Sequence, residues 1–108
     1  MSLEELYIVL TGITGYSNKV VYYAWPEGEA PALPFICYVE NASNNFIADG
    51  KVYLTINSVD IELYTKHKSL TDESLVETAL GNAGIVWQKT EQYLTDEQCY
   101  EVIYTVEV

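Results

Sequence analysis

Two carboxylates, Asp60 and Glu62, are the first candidates for chemistry, because they stand two residues apart in a stretch that alternates polar and apolar residues. Successive side chains of a strand point to opposite faces, so we expect these two to share one face. Paired carboxylates can exchange protons in acid–base catalysis or bind a hard cation such as calcium or magnesium. No EF-hand spacing surrounds them, and a solvated strand face is the leading interpretation. An acidic surface at a subunit boundary or channel comes second, and catalysis third.

The other reactive side chains of the sequence fit none of the common catalytic motifs. The single histidine, His67, lies between two lysines and is expected at the surface. Cys37 and Cys99 lie among apolar residues, outside any CxxC pair, and we expect buried free thiols, with a disulfide left open. Ser43 has no GxSxG context, and neither GxGxxG nor GxxxxGK[ST] occurs. We therefore expect no enzyme activity, no cofactor and no metal site.

Charge is the most unusual property of the composition. The 108 residues carry sixteen acidic side chains against five lysines and no arginine, which gives a net charge of −11. Binding to nucleic-acid phosphates requires lysine or arginine, and bidentate reading of guanine favours arginine. The composition therefore argues against sequence-specific nucleic-acid binding. Three explanations of the acidity stay open, namely solubility, repulsion of DNA and imitation of DNA.

Length and hydrophobic content predict one folded domain over residues 1–108. The chain is 49% hydrophobic and 13% aromatic, which is too much for simple disorder. No apolar run reaches the roughly eighteen residues that a membrane span needs. The acidic start "MSLEELYIVL" does not resemble a signal peptide, so we expect a protein of the cytoplasm of its cell.

Hydrophobic periodicity and turn residues predict two helices and five strands in the order α-β-β-β-α-β-β. The predicted helical segments are 2–15 and 66–84, and the predicted strands are 18–25, 35–42, 52–65, 85–94 and 98–108. This order predicts an α+β fold with an antiparallel sheet of about five strands. Asp49-Gly50 predicts a hairpin turn ahead of the third strand.

The third predicted strand changes its apolar parity partway along. Its first half is apolar at even positions and its second half at odd positions, in the order Val52, Leu54, Ile56, Val59, Ile61, Leu63. Either the strand bulges at Asn57-Ser58, or its two halves bury opposite faces. The sequence does not separate these two explanations.

Tyrosine-rich strands and apolar side chains in predicted loops indicate association with other protein chains. Eight of the ten tyrosines fall on predicted strands, where half-buried sheet positions or interface positions would explain them. Trp25 precedes the proline-rich loop "PEGEAPALP", and Phe46-Ile47 stands in a polar turn. Apolar side chains that project from loops often contact a partner.

Two long segments, "LPFICYVENASNNFIADGKVYLTINSVDIELYTK" and "DESLVETALGNAGIVWQKTEQYLTDEQCYEVIYTVEV", resemble the tail-terminator, or tail-completion, proteins of long-tailed bacteriophages and prophages. The resemblance is carried by Leu33-Pro34 opening a strand, "ADGKVY" as the turn, "ELYTK" closing the long strand and "GIVWQK…YEVIYTVEV" as the final hairpin. It spans roughly residues 3–108 as a succession of short patterns. The loop "PEGEAPALP" departs from the family pattern.

The resemblance implies a non-enzymatic structural protein of the virion tail, assembled in the bacterial cytoplasm. Members of the family form a ring, typically of six subunits, that ends polymerisation of the tail tube and docks to the head connector. DNA passes through the ring without sequence-specific binding. The implied partners are other copies of the chain, the tail tube protein and the head-connector protein, with no membrane. Acidic residues would keep the passing DNA mobile through like-charge repulsion.

Two other functions stay open beside the tail terminator. One is a head–tail joining or adaptor protein of similar size, and the other is an acidic DNA-mimic inhibitor that binds a basic protein as a monomer or dimer. In a ring, one half of the 52–65 strand would pack on its own subunit and the other half would face a neighbour or the lumen. The candidate interface or lumen residues are Trp25, Glu27, Glu29, Phe46, Ile47, Asp60, Glu62 and Tyr64.

Overall fold

The structure is a computed structural model that describes residues 1–43, 45–54 and 56–108, with the backbone alone described for Phe46, Ala48, Tyr53 and Leu54. Two helices and seven strands follow one another along the described chain. In order they are α1 Leu3–Thr11, β1 Val20–Tyr22, β2 Phe35–Ser43, β3 Phe46–Ala48, β4 Lys51–Leu54, β5 Asn57–Thr65, α2 Leu70–Asn82, β6 Trp87–Leu94 and β7 Cys99–Glu107.

Five of the strands form the main sheet, in the order β1-β2-β5-β7-β6. The pairs β2–β5, β5–β7 and β7–β6 are antiparallel, whereas β1 runs parallel to β2. The predicted α+β class and five-stranded sheet are confirmed, but the sheet is mixed. A parallel neighbour needs a connection that returns to the same end of the sheet, and segment 23–34 provides it.

Both helices pack against one face of the main sheet and form the core with it. Ser2 and Glu5 cap the start of α1 reciprocally, each backbone N–H donating to the other side chain at 3.1 Å. Ser69 caps α2 by accepting from the Asp72 backbone N–H at 3.1 Å. The residues of this core that have no exposed surface are Leu6, Leu10, Ile36, Val59, Ile61, Leu63, Val76, Leu80 and Tyr104. Within the described residues, no helix has the length and apolar content that a membrane crossing requires.

The predicted single strand over 52–65 is wrong, because this segment contains two strands of different sheets. β4 ends at Leu54 and pairs with β3, while β5 begins at Asn57 and pairs with β2 and β7. Thr55, between them, lies outside the described residues. The change of parity therefore arises because Val52 and Leu54 belong to β4 and the odd apolar residues to β5 of another sheet, while Ile56 lies between the two strands.

A bulge at Asn57-Ser58, one of the two explanations that the sequence left open for the change of parity, is contradicted by the strand pairing. Asn57 and Ser58 open β5 in regular pairing with Ser43 and Ala42. The shift of register lies in the partner strand β2, between Glu40 and Ala42. The predicted element order gains two strands as a result, because β3, β4 and β5 replace the single third strand.

β3 and β4 form a two-stranded hairpin over residues 46–54, which we call the arm. Asp49 and Gly50 make its turn with φ values of 52° and 72°, both positive as a type I′ hairpin turn requires. The predicted Asp49-Gly50 turn is confirmed, whereas the Phe46-Ile47 pair predicted in a polar turn begins β3 instead. Ile47 and Val52 are cross-strand partners, 62% and 54% exposed.

Candidate functional site

The face of the main sheet that lies opposite the helices, which we call the open face, is acidic. Asp60 and Glu62 share it, as their spacing predicts, since Val59, Ile61 and Leu63 of β5 point into the core. By the register of β5 and β7, Glu101 and Glu107 lie on the same face. The four long strands of the sheet contain one lysine, Lys89, whose ammonium pairs with Glu73 and Glu77 of α2 on the opposite side. These strands therefore place four carboxylates and no lysine on the open face.

A hydrogen-bonded cluster of Glu62, Tyr64 and Glu101 lies toward one end of the open face. The Tyr64 hydroxyl is 2.7 Å from Glu101 Oε2 and 3.2 Å from Glu62 Oε1, so its single proton is donated mainly to Glu101 and is shared with Glu62. Gln92 Nε2 donates to the other oxygen of Glu101, which is only 6% exposed. The Glu101 carboxylate thus has a donor at each oxygen, which compensates for its burial.

Burial and the charge of Glu101 raise the pKa values of Glu62 and Tyr64. Burial raises the pKa of Glu62, and the nearby charge of Glu101 raises it further. Burial likewise raises the pKa of Tyr64, reinforced by its hydrogen bond to Glu101. Tyr64 therefore stays protonated at neutral pH and acts as a donor between two carboxylates.

The neighbours of the cluster do not supply a reacting group. Cys37 pairs with Glu62 across β2 and β5, and burial raises its pKa to about 11, with added repulsion from Glu62 and Glu101. Reactive cysteines have lowered pKa values, so this shift has the opposite direction. Asp60 accepts from Thr105 Oγ1 at 2.8 Å rather than joining Glu62 around a shared ligand. Within the described part of the chain, no three His, Cys, Asp or Glu side chains are grouped to hold a metal ion.

An aromatic groove lies at the end of the open face where β2 begins. The Trp25 and Phe35 rings are 5.9 Å apart between centroids, and the Phe35 and Tyr64 rings are 5.3 Å apart. With Tyr23, Leu94 and Glu97, these three rings line a volume of about 460 Å³, which we call the groove.

Two residues of the groove have unusual surroundings, namely Trp25, which has a donor left unpaired in the described part of the chain, and Tyr23, which has an exposed ring. The Trp25 Nε1–H is buried without an acceptor among the described residues. Buried donors of this kind are rare in folded proteins, since leaving one unpaired costs about 1–3 kcal/mol. Tyr23 has a positive φ of 70° and is 70% exposed, so its ring stands at the rim of the groove.

The predicted interface residues fall at different places in the structure. Asp60 and Glu62 lie on the open face, and Trp25 and Tyr64 line the groove. Ile47 lies on the arm. Two further predicted residues, Glu27 and Glu29, are exposed on the connection between β1 and β2. The backbone of Phe46 is on the arm as well, and its side chain lies outside the described part of the structure. The structure thus distributes the set over four places, namely the acidic open face, the aromatic groove, the arm and the β1–β2 connection.

Three residues of these surfaces were missing from the sequence prediction, and they differ in how far the sequence could have indicated them. Glu101 alternates with buried residues of β7, so its face was predictable, but its contact with Tyr64 depends on strand register. Val52 was predictable, because a two-residue turn at Asp49-Gly50 places it opposite Ile47. Tyr23 gave no signal, because its positive φ is set by tertiary structure.

Comparison with known proteins adds no family or relative to this description. No protein-family model matches the chain, and no curated protein matches it with significant similarity. A functional proposal therefore depends on the residues and on their geometry.

Proposed function

We propose that this chain is a structural protein of the tail-terminator type, which forms a ring of identical subunits at the head-proximal end of a phage or prophage tail tube. The ring ends tube polymerisation and docks to the head connector, and DNA passes through its lumen. The observation that carries the proposal is the open face, with its four carboxylates and no lysine.

A surface of this charge suits the wall of a channel for DNA. Proteins that hold DNA place lysine and arginine against the phosphates and release counterions. A wall of carboxylates repels phosphate and leaves the DNA free to slide. In the proposed ring, Asp60 and Glu62 face the lumen, and the hydrogen bonds of Tyr64 and Gln92 hold the Glu101 carboxylate in place.

The exposed apolar surfaces support assembly of subunits. A ring of identical subunits requires two different surfaces on each subunit, which meet in head-to-tail contacts. The arm and the groove are two such surfaces on this chain. The resemblance of the sequence to tail-terminator proteins points to the same kind of assembly.

Native mass measurement over a concentration series tests the proposal, with and without millimolar magnesium and with negative-stain images of each sample. We expect a closed ring, of six subunits if the family resemblance holds. A strict monomer under all conditions would contradict self-assembly. It would favour the DNA-mimic function instead, for which a pull-down with basic DNA-binding proteins is the next experiment.

Whether the open face lines the lumen is tested separately by introducing one positive charge on it. Asp60→Lys introduces a cation there without removing a member of the Glu62–Tyr64–Glu101 cluster. We expect assembled Asp60→Lys rings to retain duplex DNA in a gel-shift experiment at low salt, whereas wild-type rings do not. The matched control is Glu4→Lys, which makes the same charge change at an exposed position of α1. Equal retention by both variants would contradict a lumen lined by the open face.

A further inference from the structure

We infer that the arm of one copy of this chain docks in the groove of a second copy, in a head-to-tail contact. The inference rests on the self-assembly proposed above and assigns the two surfaces that make the contact. Ile47 and Val52 of the arm enter the groove of the neighbour beside Tyr23 and Trp25.

The arm needs a partner surface for physical reasons. A two-stranded hairpin by itself is at best marginally stable in water. Its cross-strand pair, Ile47 and Val52, is 62% and 54% exposed, so among the described side chains of the arm these two leave most of their apolar surface in water. Residues 45–54 contain one aspartate and one lysine, so this segment has no net charge, whereas the whole chain has a net charge of −11.

The groove offers what the arm lacks. Aromatic and aliphatic side chains line it, and Glu97 is its one charged residue. Docking would bury the exposed Ile47 and Val52 of the arm against these side chains.

Charge favours this pairing over other contacts between two copies. Two subunits that each carry a net charge of −11 repel each other across most of their surfaces, and the repulsion is smallest where neutral surfaces meet. The arm and the groove are both nearly neutral. The exposed Lys51 of the arm and the exposed Glu97 of the groove add a pair of opposite sign.

The topology prevents the arm from filling the groove of its own subunit. The arm leaves the main sheet between Ser43 and Asn57, at one end of the β2–β5 pair, and the groove lies at the other end, beside Phe35 and Tyr64. Eight strand residues separate these ends, which corresponds to about 26 Å. The contact therefore joins different surfaces of two subunits, and its repetition produces a ring or an open chain.

Complementation between two defective variants tests the inference. The arm variant is Ile47→Ser with Val52→Ser, and the groove variant is Tyr23→Asn with Leu94→Ser, where asparagine tolerates the positive φ of position 23. The matched control is Ile8→Ser with Val86→Ser, which changes two apolar residues of similar exposure, 68% and 86%, elsewhere on the subunit. Thermal unfolding by circular dichroism checks that every variant folds.

We expect each defective variant to associate at least about tenfold more weakly than the wild type, and the control to assemble normally. An equal mixture of the two variants has one intact arm and one intact groove for each pair of subunits. Native mass spectrometry should therefore show a dimer with one subunit of each kind and no larger species. A symmetric contact of arm with arm would instead let the groove variant associate with itself, and a symmetric contact of groove with groove would let the arm variant do so.

The possible outcomes separate this inference from the proposed function. If the wild type and the arm variant form the same rings, the inference is overturned while the ring remains. If the wild type forms open chains that the arm variant abolishes, the docking contact is supported and the terminator ring is not. If the wild type is monomeric under all conditions, including magnesium and salt, both fail.

Discussion

At the scale of single residues, two glutamates, one on the open face of the sheet and one on a helix, have opposite surroundings. Glu62 faces Glu101 and the Tyr64 hydroxyl on the open face. Glu73 of α2 is 3% exposed and is 2.6 Å from Lys68 Nζ and 3.1 Å from Lys89 Nζ. The first carboxylate is buried against like charge and the second against opposite charge, so their contributions to stability differ in sign.

The raised pKa of Glu62 predicts a pH-dependent effect of Glu62→Gln. A carboxyl whose pKa is higher in the folded state binds more protons when folded, so it lowers stability as pH rises above the ordinary glutamate range. Glutamine removes this cost. The stability of Glu62→Gln relative to wild type should therefore be greater at about pH 7 than at about pH 4, measured by urea unfolding. A relative stability that falls with pH would contradict this assignment.

Glu73→Gln should lower the free energy of unfolding, because it leaves Lys68 and Lys89 near a neutral buried side chain. Both lysine side chains are 38% exposed, so their ammonium groups regain some hydration and we expect a loss of about 1–3 kcal/mol. Thermal unfolding of the variant measures this. The control is Glu27→Gln in the exposed connection between β1 and β2, which should leave the free energy of unfolding within about 0.5 kcal/mol. Equal effects of both substitutions would show that the ion pairs contribute nothing.

At the scale of elements, the arm is the unit that distinguishes this fold from a simple sheet with two helices. Its turn depends on Gly50, whose φ of 72° favours glycine, and on Asp49, one of the residue types that tolerate positive φ. Within the described residues its strands pair with each other and not with the main sheet, so we expect its stability to be separate from that of the core. Local opening of the arm is therefore expected to precede global unfolding.

Two glycine-to-alanine substitutions separate the stability of the arm from that of the core. Gly50→Ala places a Cβ at a positive φ and should destabilise the arm by about 1 kcal/mol, with faster amide exchange in β3 and β4 and an unchanged melting temperature of the core. Gly81→Ala, in α2, meets no atom within 4 Å of its new Cβ and should stabilise the protein by about 0.5–1 kcal/mol. A lower melting temperature in Gly50→Ala would mean that the arm and core unfold together.

Periodicity predicted the helices, the final hairpin and the shared face of Asp60 and Glu62, because each of these follows from local spacing. It missed the division of the 52–65 segment, since an apolar alternation satisfies a hairpin strand and a main-sheet strand equally well and no glycine or proline marks the break. The parallel direction of β1 was missed because it depends on the path of a long connection. The contact of Glu101 with Tyr64 likewise requires the register of distant strands.

At the scale of the whole molecule, the subunit is elongated, with dimensions of 49 × 28 × 23 Å. The arm and the groove lie at opposite ends of the β2–β5 strand pair, and the acidic open face lies between them. This arrangement couples assembly to electrostatics. In the proposed assembly, apolar contacts would draw the subunits together at the ends, while a net charge of −11 on each subunit would oppose their approach.

Association of subunits should therefore strengthen as salt rises from about 10 to about 150 mM, because the Debye length falls from about 30 to about 8 Å. Sedimentation velocity at fixed protein concentration measures this. A variant with Glu4→Lys and Glu27→Lys has a net charge of −7, since −11 plus four gives −7, and should depend less on salt. Weaker association at higher salt would show that ion pairs rather than apolar contacts hold the subunits together.

The distribution of lysines has a consequence for proteolysis. Trypsin has five possible cleavage sites in this chain, and at three of them the lysine is engaged, with Lys68 and Lys89 in ion pairs and Lys19 bonded to the Ala32 carbonyl. Lys51 stands beside the turn of the arm, the kind of exposed loop tip that proteases cut first. A docked arm would shield this bond, so the rate at which trypsin divides the chain after Lys51 becomes a direct measure of how many subunits have a neighbour.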